Sequence, residues 1–230
     1  MADAMDSKSI SFTGVGVQVP ASAPTPPRDV DPLSRALVAV ILHDIANTTQ
    51  YLKVLNAMLS ESGAPARVLD GLPETTNEVE DLGFVLGMVA FGAGADILHD
   101  RARRDGLDVL LAFVKRALRH EQRDLAANAT PLPRVRIDAP DRGRLATWAS
   151  ARFVFAAARG RSLSAQEAAE LTFVFDVHSN HVRLACRVPP CAEIERCAQE
   201  LQALSADIAF ESDATTSTLV MPARFFETDS

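Results

Sequence analysis

Apolar residues divide the chain into a helical first half and a mixed second half. Residues 1–30 are rich in Ser, Gly, Ala and Pro and show little hydrophobic periodicity, which predicts a mostly disordered tail. Asp31 and Pro32 are a good helix start, as an N-cap followed by proline at the first helical position. Apolar positions then recur every three or four residues to about Glu61, and Ser-Gly-Ala-Pro at 62–65 predicts the end of this helix.

A linker is expected up to Pro73, with residues 64–73 open to either a loop or a short helix, and a second long helix follows. Thr75 and Glu78 have the spacing of a capping box, and the helix is expected to run to about Arg104. Both helices carry more apolar surface than they can bury against each other. The sequence therefore predicts that two such hairpins pair as a homodimeric four-helix bundle, in which glycines of the second helix allow close approach. These glycines are Gly83, Gly87, Gly92 and Gly94.

After residue 105 the pattern changes to alternating helices and strands. The predicted helices are Leu107 to about Ala127, Leu145–Arg159 and Cys191–Ser205. The predicted strands are Leu132–Asp138, Leu171–Val177, His181–Val188, Ile208–Ser212 and Ser217–Pro222. This order predicts an α+β fold with helices packed on a mixed or antiparallel sheet. We divide the chain into the tail 1–30, a dimerising helical hairpin 31–105 and an α/β domain 106–230.

Composition removes several functional classes. The net charge of -7 argues against a nucleic-acid-binding protein, which usually carries a basic face. No apolar run reaches the roughly 18 residues of a membrane span, and no signal peptide is visible at the N-terminus. Cys186, Cys191 and Cys197 form no C-x-x-C pair, so reduced cysteines and no metal site are expected. These features favour a cytoplasmic protein.

One histidine of the first helix has neighbours suited to phosphoryl transfer. His43 is followed directly by Asp44 and, one helical turn later, by Asn47. At ~100° per residue, the residues of the predicted buried stripe lie within about 40° on either side of one line through Ile41, and His43 lies about 200° round from that line, facing solvent. The stripe comprises Leu37, Ile41, Ile45, Thr48, Leu52, Leu55 and Leu59. A solvated histidine without a chemical role is the alternative reading of the same position.

A second Leu-His-Asp string lies at the end of the second predicted helix. There His99 and Asp100 are followed by Arg-Ala-Arg-Arg without an amide at the fourth position, so His99 is interpreted as a helix-end histidine. The remaining histidines have no carboxylate at a useful spacing and are interpreted as surface residues. They are His120, His178 and His181.

The order of elements, with the motif His43-Asp44-x-x-Asn47, resembles the architecture of histidine kinases over about residues 31–226. In that family the helical hairpin dimerises and is phosphorylated on the histidine, and the following domain binds ATP. Residues 82–93 (Leu-Gly-Phe-Val-Leu-Gly-Met-Val-Ala-Phe-Gly-Ala) are similar to the second helix of the ChpT-like histidine phosphotransferases, which have the kinase shape but do not use ATP.

The chain departs from the kinase pattern at three ATP-binding elements. The helix Leu145–Arg159 lacks the asparagine that holds magnesium and phosphates, and Pro-Pro-Cys-Ala at 189–192 stands in place of Asp-x-Gly-x-Gly. Glu-Ile-Glu-Arg at 193–196 occupies the position of a second glycine-rich stretch. Without a backbone nest for phosphate or a magnesium ligand, the resemblance implies a degenerate ATP-binding domain that holds no cofactor.

The resemblance implies a phosphorelay histidine phosphotransferase. His43 would take a phosphoryl group from the aspartate of one response-regulator receiver domain and pass it to another, with magnesium supplied by the receiver. Asp44 would accept the other ring N–H of His43, and Asn47 would donate to phosphoryl oxygens or position a water. The expected partners are receiver domains and a second copy of the chain. The alternatives are a pseudokinase-like adaptor that is never phosphorylated and an ATP-dependent kinase with unfamiliar motifs.

Overall fold

The computed structural model describes residues 31–62, 66–94, 103–123, 125, 131–161 and 173–227, without the side chains of residues 46, 55–62 and 66–74. The helices are α1 (Pro32–Ser62), α2 (Ala66–Gly92), α3 (Gly106–His120), α4 (Pro140–Gly160) and α5 (Ala192–Leu204), with a short 3₁₀ helix at Ala223–Phe225. The strands are β1 (Phe173–Val177), β2 (His181–Cys186), β3 (Ala209–Ser212) and β4 (Ser217–Pro222). The predicted tail 1–30 lies outside the described residues, and the division into domains at residue 105 stays a prediction.

The start of α1 matches its sequence prediction. The carboxylate of Asp31 accepts hydrogen bonds from the backbone N–H of Ser34 at 2.8 Å and from its hydroxyl at 3.1 Å. This carboxylate satisfies backbone donors that the first turn of a helix leaves free, and Pro32 lacks such a donor. The side chain of Asp31 also reaches α4, so the cap joins the first helix to the second half of the chain.

The second helix begins earlier and ends earlier than predicted. It starts at Ala66, so the expected linker to Pro73 is helical and Thr75 is a buried mid-helix residue rather than a cap. The helix continues through Gly71 and Pro73 despite their low helix propensity, so the capping-box spacing at Thr75 did not mark a helix start. At the other end α2 stops at Gly92, two residues before Gly94 turns left-handed with φ +76°. Residues 95–102, including the predicted continuation, lie outside the described residues.

The predicted strand at residues 132–138 is wrong. Only a single bridge, between Val135 and Phe226, is present there, supported by the N–H of Arg136 donating to the carbonyl of Phe225. Pro131 and the nearby Pro133 lack the N–H groups that a ladder needs, so the alternating pattern produces an extended segment rather than a strand. The preceding helix, α3, also ends at His120 rather than near residue 127.

The four remaining predicted strands form one antiparallel sheet in the order β1-β2-β4-β3. Strand β2 pairs with β1 on one side and with β4 on the other, with Leu184 opposite Phe175 and Leu219. These three residues are buried, as the alternation along each strand requires when helices cover one face. The α+β fold expected from the sequence is therefore present.

Helix α4 lies at the centre of the hydrophobic core. Every residue from Ala146 to Ala158 is buried, and Phe153 makes edge-to-face contacts with Phe173 of β1 and Phe210 of β3. The core continues into the first third of α1 through Leu33 and Leu37, so the helical and mixed halves share it.

Helices α1 and α2 keep an apolar surface open to solvent. The exposed apolar residues of each helix recur at spacings that keep them on one side of the helix, four, three and seven residues apart on α1 and seven apart on α2. This surface comprises Val38, Leu42, Ile45 and Leu52 of α1 and Val79 and Leu86 of α2, and we call it the apolar seam. Ile45 and Leu52, expected in the buried stripe, are 45% and 43% exposed, whereas the stripe residues Leu37, Ile41 and Thr48 are buried. The side chains of Leu55 and Leu59 lie outside the described part of the structure.

Candidate functional site

His43 lies on the exposed side of α1, as the helical periodicity predicted. Asn47, one turn further along the same helix, directs its side-chain amide nitrogen to Nε2 of His43 at 3.1 Å. Which group donates depends on the tautomer of the ring: when the amide nitrogen donates, Nε2 accepts through its lone pair. A lone pair on a ring nitrogen is what a nucleophilic imidazole needs, and the tautomer that accepts from Asn47 has it on Nε2.

Asp44 is directed away from His43 towards α3. Its carboxylate, 18% exposed, accepts a hydrogen bond and ion pair from Nη1 of Arg116 at 2.5 Å. The guanidinium of Arg116 in turn lies over the ring of Phe113, 3.9 Å from its centroid. Adjacent residues of a helix point about 100° apart, which explains why Asp44 and Asn47 have different relations to the imidazole of His43. The structure therefore brings Asn47 to the imidazole and gives Asp44 another partner.

A second imidazole lies beside the first. The rings of His43 and His120 are 6.4 Å apart between centroids and meet edge to face at an interplanar angle of 74°. His120 is the last residue of α3, and Arg116 lies one turn before it. One face of α3 therefore contacts the two adjacent residues Asp44 and His43 of α1.

Sequence reasoning missed the contributions of His120 and Arg116. No motif marks either residue, because their nearness to His43 depends on how α3 packs against α1. The available signal was weak: Arg116 and His120 are four residues apart and so share a face of an amphipathic helix. Of the other histidines, His178 pairs with Asp176 and His181 with Asn180 at the β1–β2 turn, away from α1. His99 lies outside the described residues.

Two depressions involve the residues of this site: His43 borders one, and Asp44 and Asn47 border the other. The larger, of about 1410 Å³, is bordered by His43 and His120 together with Arg35, Arg159 and Arg196. Its walls also carry glutamates, so charges of both signs face it. The smaller, of about 440 Å³, is bordered by Asp44, Asn47, Arg116 and the acidic residues Glu78 and Asp81. The described residues contain no group of three or more His, Cys, Asp and Glu side chains arranged to hold a metal ion.

The interior of helix α4 contains a buried arginine. Arg152 of α4 is 2% exposed and pairs with Asp31 at 2.6 Å and Glu200 of α5 at 2.5 Å. Burial alone would lower the pKa of this guanidinium, but the negative charges around it, led by Asp31, outweigh the burial and raise the pKa. Arg152 therefore stays charged and ties α1, α4 and α5 together.

Comparisons with known proteins return likenesses of shape only. No protein-family model matches the chain, and no curated protein matches it. The chain is similar to the histidine kinase AdeS of Acinetobacter baumannii, at 11% identity and a TM-score of 0.36, covering 82% of this chain and 94% of that one. It is also similar to a bacterial phosphotransferase, at 13% identity and a TM-score of 0.34, covering 86% and 99%.

A histidine kinase from Burkholderia phymatum is a third similar structure, at 16% identity and a TM-score of 0.38, covering 85% of this chain and 98% of that one. At these scores the likenesses carry no argument about what this chain does. Separately, none of the helices in the described ranges combines the length and apolar character needed to cross a bilayer.

Proposed function

We propose that this protein is a phosphorelay histidine phosphotransferase in which His43 carries the phosphoryl group between receiver aspartates without ATP. The single observation that supports this most is the exposed His43 ring with the side-chain amide of Asn47 placed 3.1 Å from Nε2. An ordinary surface histidine needs no such partner, whereas a nucleophilic one must keep a lone pair available at a defined nitrogen.

The proposed reaction is a reversible displacement at phosphorus. The Nε2 lone pair attacks the phosphorus of a receiver aspartyl phosphate, the N–P bond forms, and the P–O bond to the aspartate breaks, returning a free carboxylate. The Nδ1 proton stays on the ring, which becomes a phosphorylated imidazolium. For the second transfer an acceptor aspartate attacks the same phosphorus, and the ring leaves as the neutral imidazole that began the cycle. Magnesium comes with the receiver, as the sequence resemblance implies.

Asn47 and Asp44 take different parts in this proposal. As the N–P bond forms, the side-chain amide of Asn47 turns away from Nε2. Its N–H then donates to an oxygen of the phosphoryl group, which carries the negative charge. Asp44 supplies a carboxylate beside the imidazolium that develops on His43, and the same carboxylate fixes Arg116 of α3 next to the site. We therefore assign Asp44 a positioning and electrostatic role rather than direct contact with the ring.

Absence of ATP chemistry is supported by the sequence of α4 and the loop after β2. Arg152 occupies the interior of α4 together with Asp31 and Glu200, and Pro189-Pro190 follows the strand that ends at Cys186. Two prolines lack N–H groups, so this stretch offers fewer backbone donors to phosphates than a glycine-rich loop does.

A second copy of the chain is the proposed occupant of the apolar seam. Val38, Leu42, Ile45 and Leu52 repeat with the four-three spacing of positions that face a partner in a helical bundle. On α2, Gly83 lies between Val79 and Leu86, and a methyl group built there would touch nothing within 4 Å. Two hairpins that meet at this seam would bury both apolar rows and place helices in close contact at the glycine.

The test is phosphoryl transfer from a receiver domain labelled on its aspartate, with magnesium present and no ATP. Wild type is expected to gain an acid-labile, alkali-stable label, and His43→Gln is expected to gain none. His178→Gln is the matched control, because it removes another exposed histidine, which follows β1 rather than lying on α1. In a parallel reaction with labelled ATP and no receiver, wild type is expected to stay unlabelled.

Two different results would contradict two different parts of this proposal. If wild type stays unlabelled with every receiver that binds it, the transfer proposal is wrong and the adaptor alternative replaces it. If label from ATP appears on wild type without a receiver, the absence of kinase chemistry is wrong.

A further inference from the structure

We infer that His120 is a second phosphoryl-contacting residue, donating a hydrogen bond from α3 to the phosphoryl group carried by His43. This inference rests on the proposed function and adds a residue that no sequence motif marks. The observation that carries it is the edge-to-face contact between the two exposed rings, 6.4 Å apart between centroids.

The placement of His120 is built into the packing of α3 on α1. Arg116 and His120 are one turn apart on α3, and they meet the adjacent pair Asp44 and His43 on α1. The Arg116–Asp44 ion pair and the guanidinium stacked on Phe113 fix this register. Because two neighbouring contacts join the same helices, His120 cannot shift along α1 without breaking the ion pair.

An imidazole is suited to the role because it carries at least one N–H donor in either neutral tautomer. At 6.4 Å between centroids the rings contact each other without a hydrogen bond between them. The two rings also border the same cleft, so a group bound to His43 on that side has His120 as its neighbour. Phosphorylation adds three acceptor oxygens to His43, and Asn47 on α1 supplies only one donor side chain. His120 thus supplies a donor from a different element.

Four variants separate hydrogen-bond donation from ring packing. His120→Ala removes both, His120→Phe keeps a ring without N–H, and His120→Asn keeps an N–H donor without the ring. His178→Gln is the control for an exposed histidine elsewhere. The measurements are the transfer rates from a phosphorylated receiver and back, the lifetime of the phosphohistidine, and its ³¹P chemical shift.

If the inference is right, the alanine and phenylalanine variants transfer about 10- to 100-fold more slowly, the cost expected for one lost hydrogen bond to a charged group. The asparagine variant is expected to recover most of that rate. The ³¹P signal should shift in the first two variants and return towards the wild-type position in the third. Thermal unfolding should be unchanged in all of them, because His120 is exposed.

Other outcomes overturn the inference or its foundation in distinguishable ways. Wild-type rates in all three His120 variants would overturn the role of His120 and leave His43 as carrier. A fast phenylalanine variant with slow alanine and asparagine variants would show that ring packing, not donation, matters, and would overturn it too. Label that survives His43→Gln and disappears in His120→Ala would overturn both assignments. An unlabelled wild type would remove the proposed function itself.

Discussion

The two long helices α1 and α4 differ in how much of their surface the single chain covers. Every residue of α4 from Ala146 to Ala158 is buried. In α1 the first turns are buried through Leu33 and Leu37, but Leu42, further along, is 63% exposed. A helix apolar on all sides belongs inside a protein, whereas an apolar row left on a surface helix marks a face for a partner. The comparison separates a helix that the chain covers on all sides from a helix that keeps an exposed apolar row, where we have proposed that a second copy binds.

His43 lies next to this open row, immediately after Leu42 in the sequence. The candidate site therefore lies on α1, the partly exposed helix. The buried helix α4 contacts the start of α1 through the ion pair between Arg152 and the cap residue Asp31. Under the proposed function the imidazole has to stay accessible to partner domains, and an exposed position on α1 meets that requirement. The predictions that follow test this division.

The largest expected effect is on dimerisation through the apolar seam. Leu52→Glu should lower dimer stability by about 1.5–3 kcal/mol for each protomer, because each copy loses a buried apolar side chain and gains a charge. Light scattering after gel filtration should show the mass falling by half at micromolar concentration. Val174→Glu, at a similarly exposed apolar residue on β1, is the control and should keep the wild-type mass. A monomeric wild type would contradict the proposal that a second copy of the chain covers the apolar seam.

Removing the buried cation of the Asp31–Arg152–Glu200 cluster should lower the stability of the fold without affecting dimerisation. Arg152→Ala leaves Asp31 and Glu200 without their shared cation, and should reduce the free energy of unfolding by about 3–5 kcal/mol. Arg183→Ala removes an exposed ion pair with Glu211 and should cost about 0–1 kcal/mol. Urea unfolding followed by circular dichroism measures both. Equal losses would mean that the burial of Arg152 contributes nothing special.

Two glycines of α2 give opposite tests of close packing. At Gly92 an added methyl group would lie 2.0 Å from an atom of the buried Trp148, so Gly92→Ala should cost about 1–3 kcal/mol. At Gly83 nothing lies within 4 Å, so Gly83→Ala should raise the stability of the single chain by up to ~1 kcal/mol through helix propensity. The same variant should weaken the dimer if helices meet there. Thermal unfolding across a dilution series separates the two effects, and a dimer unaffected by Gly83→Ala would contradict the proposed contact.

The last prediction concerns the reactivity of the three cysteines in the second half of the chain. Burial raises the pKa of Cys186 and of Cys197 from 9.0 to about 12, whereas Cys191 is only half-buried. A thiol reagent at pH 8 should therefore modify Cys191 alone in the native protein, and Cys191→Ser should abolish that reaction. Between pH 9.0 and about 12 the unfolded thiols ionise before the folded ones, so the free energy of unfolding should fall as pH rises through this window. Native labelling of Cys197 at pH 8 would show that this region opens readily.

Local pattern was sufficient for most elements of the fold. The cap at Asp31, the end of α1 near Glu61 and the four strands of the sheet follow from periodicity and turn residues, because these signals act within a few residues. The pattern was misleading where the residues around a local motif formed a different structure from the one that the motif indicates. Thr75 and Glu78 have cap spacing inside a helix, and the alternating stretch near Val135 lacks the donors for a strand.

The sequence by itself determined that His43 is exposed and that Asn47 lies one turn away, since helical geometry places residues i and i+4 on one side. Only the tertiary structure decided the rest of the site. It brought Arg116 to Asp44 and His120 to His43 across more than seventy positions, through the docking of α3 on α1. Periodicity describes which face of a helix is apolar, but it contains no information on which other helix will cover that face. The neighbours of the imidazole are therefore a property of packing, and its exposure is a property of the chain.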